Sequence, residues 1–338
     1  MKGKGKKSLT IAAGLLLVVL LIAWSGVGEM VKLLSQTKLR YLALACFFSA
    51  LETILWSLRW QILLKQSNIH VPLKKVFEAT LIGIFVNNVT PGARGGGEPV
   101  RMYLIKKRSD SSYGKIFATI ATDRMLDAIP IVVFTIIAFW YALDLGTHLV
   151  LIVLLVSVII VISVILLSIL FSLNEKLAMG LLMRIFRLVR RIFPKKFEGM
   201  EEQAEEIIKS HVIDFKRTFV MLSKNKLALF GSTTISFMIW VSALLRTYLV
   251  FLSLNYPLQL HKVLMVQMAG MAVGLISIIP GGIGITEAIF SALYLSLAID
   301  KTLAVTATMV DRMLSFWIPT LTGALVAAHL GVKLTEEG

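Results

Sequence analysis

The sequence predicts an all-α polytopic membrane protein, with about six full spans plus two broken or re-entrant helical hairpins in an inverted-topology repeat. Three observations predict it. Hydrophobic residues make up 57% of the chain and charged residues 16%, with a mean hydropathy of +0.81, far from the globular average. Several apolar runs approach or pass the ~20 residues needed to cross a bilayer. A Pro-Gly motif also occurs twice, each time interrupting a hydrophobic segment. Such interruptions at matching places in two halves point to the binding site of a membrane translocator.

The full spans are expected at about 9–24, 41–63, 116–142, 149–173, 227–253 and 303–330, and the broken segments at about 76–100 and 263–299. The first span follows a basic start. No small-x-small cleavage site comes soon after it, so it reads as uncleaved. In the first broken segment, Asn87, Asn88 and Thr90 precede Pro91, and glycines at 92 and 95–97 permit backbone that a helix refuses. Freed backbone groups there need partners or a wet cavity, because lipid cannot satisfy them. The halves, about 41–142 and 227–330, are joined by a linker at 174–226 that is too short for a catalytic domain of ~100 residues. Its 181–193 part sets Arg184, Arg187, Arg190 and Arg191 against an apolar face, as an interfacial helix on anionic headgroups would, ended by Pro194. From Glu201 to Leu222, Ala204, Ile208, Phe215, Phe219 and Leu222 share one helical face. Trp24, Trp56, Trp60, Trp140, Trp240 and Trp317 fall mostly near span ends and read as interface anchors.

Most of the 35 Lys and Arg fall on one side of this scheme: the N-terminus, 65–75, 101–115 and above all 175–226. The other side holds only Lys32, Lys38, Arg40, Lys262 and Lys301. The positive-inside rule then places both termini and the linker in the cytoplasm of a cell inner membrane, with the two broken segments entering from opposite faces.

The duplication is specific. Pro91-Gly92-Ala93-Arg94-Gly95-Gly96-Gly97-Glu98 is matched by Pro280-Gly281-Gly282-Ile283-Gly284-Ile285-Thr286-Glu287, with Glu seven places after Pro in both. Asp123-Arg124-Met125-Leu126 returns as Asp311-Arg312-Met313-Leu314. Pro91, Gly92, Gly95, Pro280, Gly281 and Gly284 are the expected hinge positions. Basic residues inside apolar or motif segments are all arginine: Arg59, Arg94, Arg124, Arg246 and Arg312. Arginine offers a planar fork that holds phosphate bidentately and stays charged when buried. Charges placed in a membrane usually face a cavity or one another and carry function. Arg94 has only Ile283 opposite it in the second copy, so it reads as a phosphate ligand rather than half of a structural pair.

Adjacent residues do not face each other on a helix. Arg124 is therefore expected to pair with Glu98 and Arg312 with Glu287, or crosswise between the halves, with Asp123 and Asp311 finding partners elsewhere. Glu52 and Arg59 lie seven apart on one face of the second span, with Arg246 in the equivalent span; cavity lining and interhelical pairing are both open. Asp127 has Ser315 as its counterpart and is the weaker candidate.

These motifs resemble the lysylphosphatidylglycerol synthase transmembrane, or flippase-like, family, which includes the membrane half of the bacterial multiple peptide resistance factor. The resemblance covers about 9–330. It implies paired broken helices and a role in moving lipid between leaflets. Large members carry a soluble aminoacyl-transferase domain; this chain reaches Gly338 without one, so aminoacylation is not expected to carry over. The expected partners are membrane lipids with phosphate-containing headgroups. A homo-oligomer or a separate lipid-modifying enzyme is left open, and no nucleic acid is expected. The single Cys46, the five scattered histidines and the lack of a phosphate-binding GxxxxGK[ST] loop point to no metal, cofactor or ATP hydrolysis, and no catalytic residue set is found. An intramembrane enzyme on a lipid phosphate and a carrier of a small anion are the alternatives.

Overall fold

The computed structural model describes residues 2–90, 96–192, 201–276 and 279–331, and these are helices joined by short turns. Pro91, Gly92, Arg94, Gly95 and Pro194 lie outside the described residues. The chain is an all-α membrane protein. Three rods are long and apolar enough to cross a bilayer: α3 (Leu39–Gln66), the end-to-end pair α6 (Tyr113–Leu126) and α7 (Ala128–Asp144), and α11 (Lys226–Ser253). A fourth arises if α1 (Lys2–Ser25) and α2 (Val27–Ser35), bent by 82° at Gly26, count as one span. The expected spans at 149–173 and 303–330 are also helical. The first is α8 (His148–Leu173), whose Ile152, Leu155, Ile159 and Leu166 point outward. The second is α14 (Lys301–Arg312), a π-helical turn Met313–Trp317 and α15 (Ile318–His329). α14 is less apolar than a lipid-facing span because it buries Thr302, Thr306, Thr308, Asp311 and Arg312. The π turn follows Arg312 directly, and such insertions gather at functional sites.

Side-chain caps start the helices where the sequence offers them. Ser112 accepts from Lys115 N (3.3 Å), Asn225 from Ala228 N (3.1 Å), and Asp300 from Thr302 N (2.8 Å) and Leu303 N (3.2 Å). α3 and α11 stop alike, each at an asparagine in the left-handed region: Asn68 (φ 57°) and Asn255 (φ 62°). These two helices form the central pair and run antiparallel. Lys38 N at the start of α3 donates to Ser253 O at the end of α11 (2.8 Å), and Asn225 before α11 reaches Gln66 at the end of α3 (2.6 Å).

Each broken segment is a helical hairpin. α4 (Leu73–Val89) and α5 (Gly97–Lys106) pack side by side, with Gly97 N donating to Asn87 Oδ1 (2.7 Å). α5 runs on to Lys106, beyond the expected end at 100. At ten residues, or about 15 Å, it is too short to cross. α12 (Leu260–Ile276) and α13 (Ile285–Ser296) form the second hairpin, joined through a 3-10 turn at Pro280–Gly282. Gly281, Gly282 and Gly284 there have φ of 61°, 66° and 83°, which glycine alone adopts freely. α4 packs on α15, and α12 on α7 and α8, so each hairpin lies against the terminal rod of the other half. The second turn reaches α4 itself. A Cβ on Gly281 would lie 2.9 Å from Asn88 O, near the end of α4.

In the linker, α9 (Glu175–Ile192) is strongly amphipathic, as expected for 181–193. α10 (Glu201–Lys224) packs on α6, with His211 5.9 Å from Tyr113, Phe215 5.5 Å from Phe117 and Leu222 buried against Leu126; Ala204, Ile208 and Phe219 on the same face are half-buried. The tryptophans divide. Trp24 and Trp140 are exposed, in keeping with interface anchors. Trp60 is not one: it is fully buried and donates to Thr119 Oγ1 (3.0 Å), because it faces the hairpin across α3.

Candidate functional site

Two clusters of intramembrane charge lie against the central pair, built from matching positions of the two halves. The first begins on α3. Arg59 donates through Nε to Asp123 Oδ1 of α6 (2.8 Å), through Nη2 to Asp127 Oδ2 (3.1 Å), and through Nη1 to Asp127 Oδ1 and to Ser236 Oγ of α11 (2.6 Å). Asp123 also takes Arg101 Nη2 (3.4 Å), whose Nη1 goes to Glu98 Oε2 (3.0 Å). Glu98 in turn takes Nε (3.0 Å) and Nη2 (2.6 Å) of Arg124 on one oxygen. The result is an unbroken series, Asp127–Arg59–Asp123–Arg101–Glu98–Arg124, alternating in sign. Three carboxylates meet three guanidiniums, which balances the cost of burial. The series runs outward, since the Arg59 side chain is fully buried while Arg124 is 42% exposed. At that outer end is a small cavity lined by Trp56, Thr80, Asn87, Arg101, Asp123 and Arg124. Trp56 Nε1 and Arg101 Nε, both buried, have no hydrogen-bond partner.

The second cluster repeats the plan and then departs from it. Arg246 of α11 donates through Nε to Asp311 Oδ1 of α14 (3.0 Å), as Arg59 does to Asp123. The two pairs join residues 65 and 64 apart. Arg312 donates through Nε to Glu287 Oε1 (2.7 Å), as Arg124 does to Glu98, across 25 and 26 residues. Here the resemblance stops. Arg101 has no counterpart: its side chain packs over Gly83, and at the matching glycine, Gly270, the Phe290 ring takes that place. The second series is therefore cut into Glu52–Arg246–Asp311 and Glu287–Arg312. The latter pair is closed: its side chains are 2% and 8% exposed, Glu287 Oε2 caps Gly284 N (2.7 Å), and Arg312 Nη2 holds Gly281 O (3.0 Å). α1 lies over this turn, with a Cβ on Gly14 falling 2.6 Å from Ile283 O.

The expected pairings Arg124–Glu98 and Arg312–Glu287 form within each half, not crosswise. Glu52 and Arg59 share a helix, yet each pairs with other helices. Glu52 reaches Arg246 across the central pair. Asp127, the weaker candidate, is a full partner of Arg59. Sequence reasoning missed Arg101, counting it with the basic loop; it is buried with its guanidinium 4.0 Å from the Trp60 ring centre. The signal was its i, i+3 spacing from Glu98 on a short helix. Arg94 lies outside the described residues. Among the described residues, no group of three or more His, Cys, Asp or Glu could hold a metal ion.

The fold and these clusters define a polytopic helical membrane protein with paired charged hairpins. The chain belongs to the family described as the lysylphosphatidylglycerol synthase TM region, whose model matches residues 11–323. It is similar to the UPF0104 membrane protein PH1989 of Pyrococcus horikoshii, 44% identical over 322 residues, covering 95% of this chain and 96% of that one. A UPF0104 membrane protein of Methanothermobacter thermautotrophicus is 30% identical over 337 residues, covering 99% and 98%. UPF0104 membrane protein MJ1595 of Methanocaldococcus jannaschii is 26% identical over 318 residues, covering 94% and 93%.

Proposed function

We propose that this protein is a flippase-like lipid translocase, without enzymatic activity, that moves a phosphate-containing or polyprenyl-phosphate-type lipid between leaflets of the cell membrane. The observation that carries the reading is the open end of the first cluster. Arg124 is 42% exposed beside a cavity of about 10 Å³, its neighbours Trp56 and Arg101 offer buried N–H groups without partners, and the one carboxylate it bonds among the described residues, Glu98, is shared with Arg101. A lipid phosphate arriving there competes with Glu98 for the Arg124 fork, while Arg101 retains Glu98. Acyl chains stay in the bilayer, and only the headgroup exchanges water for fixed donors, which lowers the cost of its passage. Arg94, four residues before Glu98 in sequence, is assigned to the same phosphate. The antiparallel α3 and α11 support reading the halves as an inverted repeat, so that one hairpin serves each leaflet. Both termini and α9–α10 are assigned to the cytoplasmic side on the basic-residue bias.

The experiment is reconstitution in liposomes, with leaflet-selective labelling of a phosphate-bearing lipid and headgroup analysis before and after incubation. Relocation of unaltered lipid supports the reading. A chemically changed headgroup means an enzyme, and release of a trapped soluble anion without lipid movement means an anion carrier.

A further inference from the structure

The two clusters differ in charge. Among the described residues the first balances three carboxylates with three arginines, whereas the second sets Glu52, Asp311 and Glu287 against only Arg246 and Arg312. Glu287 and Arg312 close on each other, so among the described residues the unbalanced carboxylate falls within Glu52–Arg246–Asp311. A carboxylate with less than a full counter-ion in apolar surroundings is disfavoured as an anion and calls for a neutralising cation.

The hydrogen bonds say which carboxylate is the weaker anion. Asp311 Oδ1 accepts from Arg246 Nε (3.0 Å) and from Thr247 Oγ1 (2.8 Å), which is itself held by Gln267 Nε2 (2.5 Å). Glu52 accepts from Arg246 Nη1 alone and is 15% exposed. The charged groups acting on Glu52 are Arg246 of α11 and Asp311 of α14. Tyr294 of α13, whose buried hydroxyl has no hydrogen-bond partner, lies within electrostatic reach of Asp311 and Arg246. Position 239, seven before Arg246 as Glu52 is seven before Arg59, is Ile239, so the extra carboxylate belongs to the first half alone yet serves the second. No multidentate metal set lies among the described residues. A proton is the ligand that fits one lone carboxylate.

We infer that Glu52 is an exchangeable proton site. It takes a proton from water, which brings Glu52–Arg246–Asp311 to neutrality, and gives it back when Arg246 returns to it as a full counter-ion. Because Glu52 joins α3 to α11, losing its charge loosens the contact between the halves, and this couples a proton gradient to their movement. The coupling rests on the lipid-translocation reading; the proton site does not.

Infrared difference spectra of the protein in phospholipid vesicles, stepped from about pH 9 to about pH 6 so that solvent-exposed carboxylates stay ionised, test the site. One protonated-carboxyl band is expected to rise in the wild type, to vanish in Glu52→Gln and to persist in Glu98→Gln. No band, or a band unchanged in Glu52→Gln, overturns the site. So does charge supplied by Arg94, which would keep Glu52 ionised and abolish the signal. A band that sodium ions suppress at fixed pH would overturn the assignment to protons. For coupling, an imposed pH gradient is expected to speed lipid movement in the wild type, and the ratio of rates with and without the gradient should fall to one in Glu52→Gln. A ratio unchanged in Glu52→Gln overturns the coupling. A wild type that moves no lipid overturns the translocation reading and the coupling with it, while the infrared band still decides the site.

Discussion

The first hairpin ends its charge series in an exposed arginine beside a cavity; the second ends the same series in a sealed one. Both are built from Glu, Asp and Arg at matching places, so the difference lies in a few exchanged neighbours. Arg101 gives way to Phe290, Asp127 to Ser315, and the described second turn is pinned by Glu287 and covered by α1. A duplicated scaffold can thus keep its ion pairs while only one copy leaves its arginine exposed. A buried pair is weak proof of stability on its own, but removing one partner leaves a bare charge in apolar surroundings.

The largest effects should come from the shared inner pairs. Arg59→Ala and Arg246→Ala each strand buried carboxylates and should cost about 3–5 kcal/mol, read as lost thermal stability in detergent. Equal damage from both would support their equivalence; a near-neutral Arg246→Ala would break it. Next comes Arg101→Phe, which writes the second hairpin's solution into the first. The ring has a precedent over Gly270, but Asp123 and Glu98 lose a shared partner, so a cost of about 2–3 kcal/mol is expected. Glu287→Gln should cost about 2 kcal/mol more than Glu98→Gln, since it weakens a buried cap as well as a pair. If the two glutamines prove equally mild, the second hairpin is not the sealed one. The smallest is Ser236→Ala, which removes one bond from Arg59 across the halves and should cost about 1 kcal/mol in the same melting assay.

Much of this was legible in the sequence for a physical reason. Glycine and proline in an apolar segment, repeated in register with Glu and Asp-Arg, leave few structural options in lipid; the matching names Glu98, Arg124, Glu287 and Arg312 as partners but leaves pairing within a half or across the halves open, which the structure decides. The Arg59–Asp123 and Arg246–Asp311 pairs were less visible, because each joins helices more than sixty residues apart. A pointer existed, in that both arginines and both aspartates recur at matching places without a local partner. Arg101 was hidden by its setting just before Lys106, Lys107 and Arg108, where a charge count treats it as loop. Trp60 was misread because proximity to a helix end says nothing about which face it occupies. The asymmetry itself was out of reach, since exposure depends on how α1 and α13 cover the second turn.

On the proposed function, the open arginine meets the lipid and the sealed one holds the fold. Lipid movement and melting temperature, measured side by side for Arg124→Ala and Arg312→Ala in liposomes at matched protein content, test it directly. Arg124→Ala is expected to abolish movement with little change in melting temperature, whereas Arg312→Ala should lower the melting temperature by an amount equivalent to about 3 kcal/mol. Wild-type lipid movement in Arg124→Ala would contradict it.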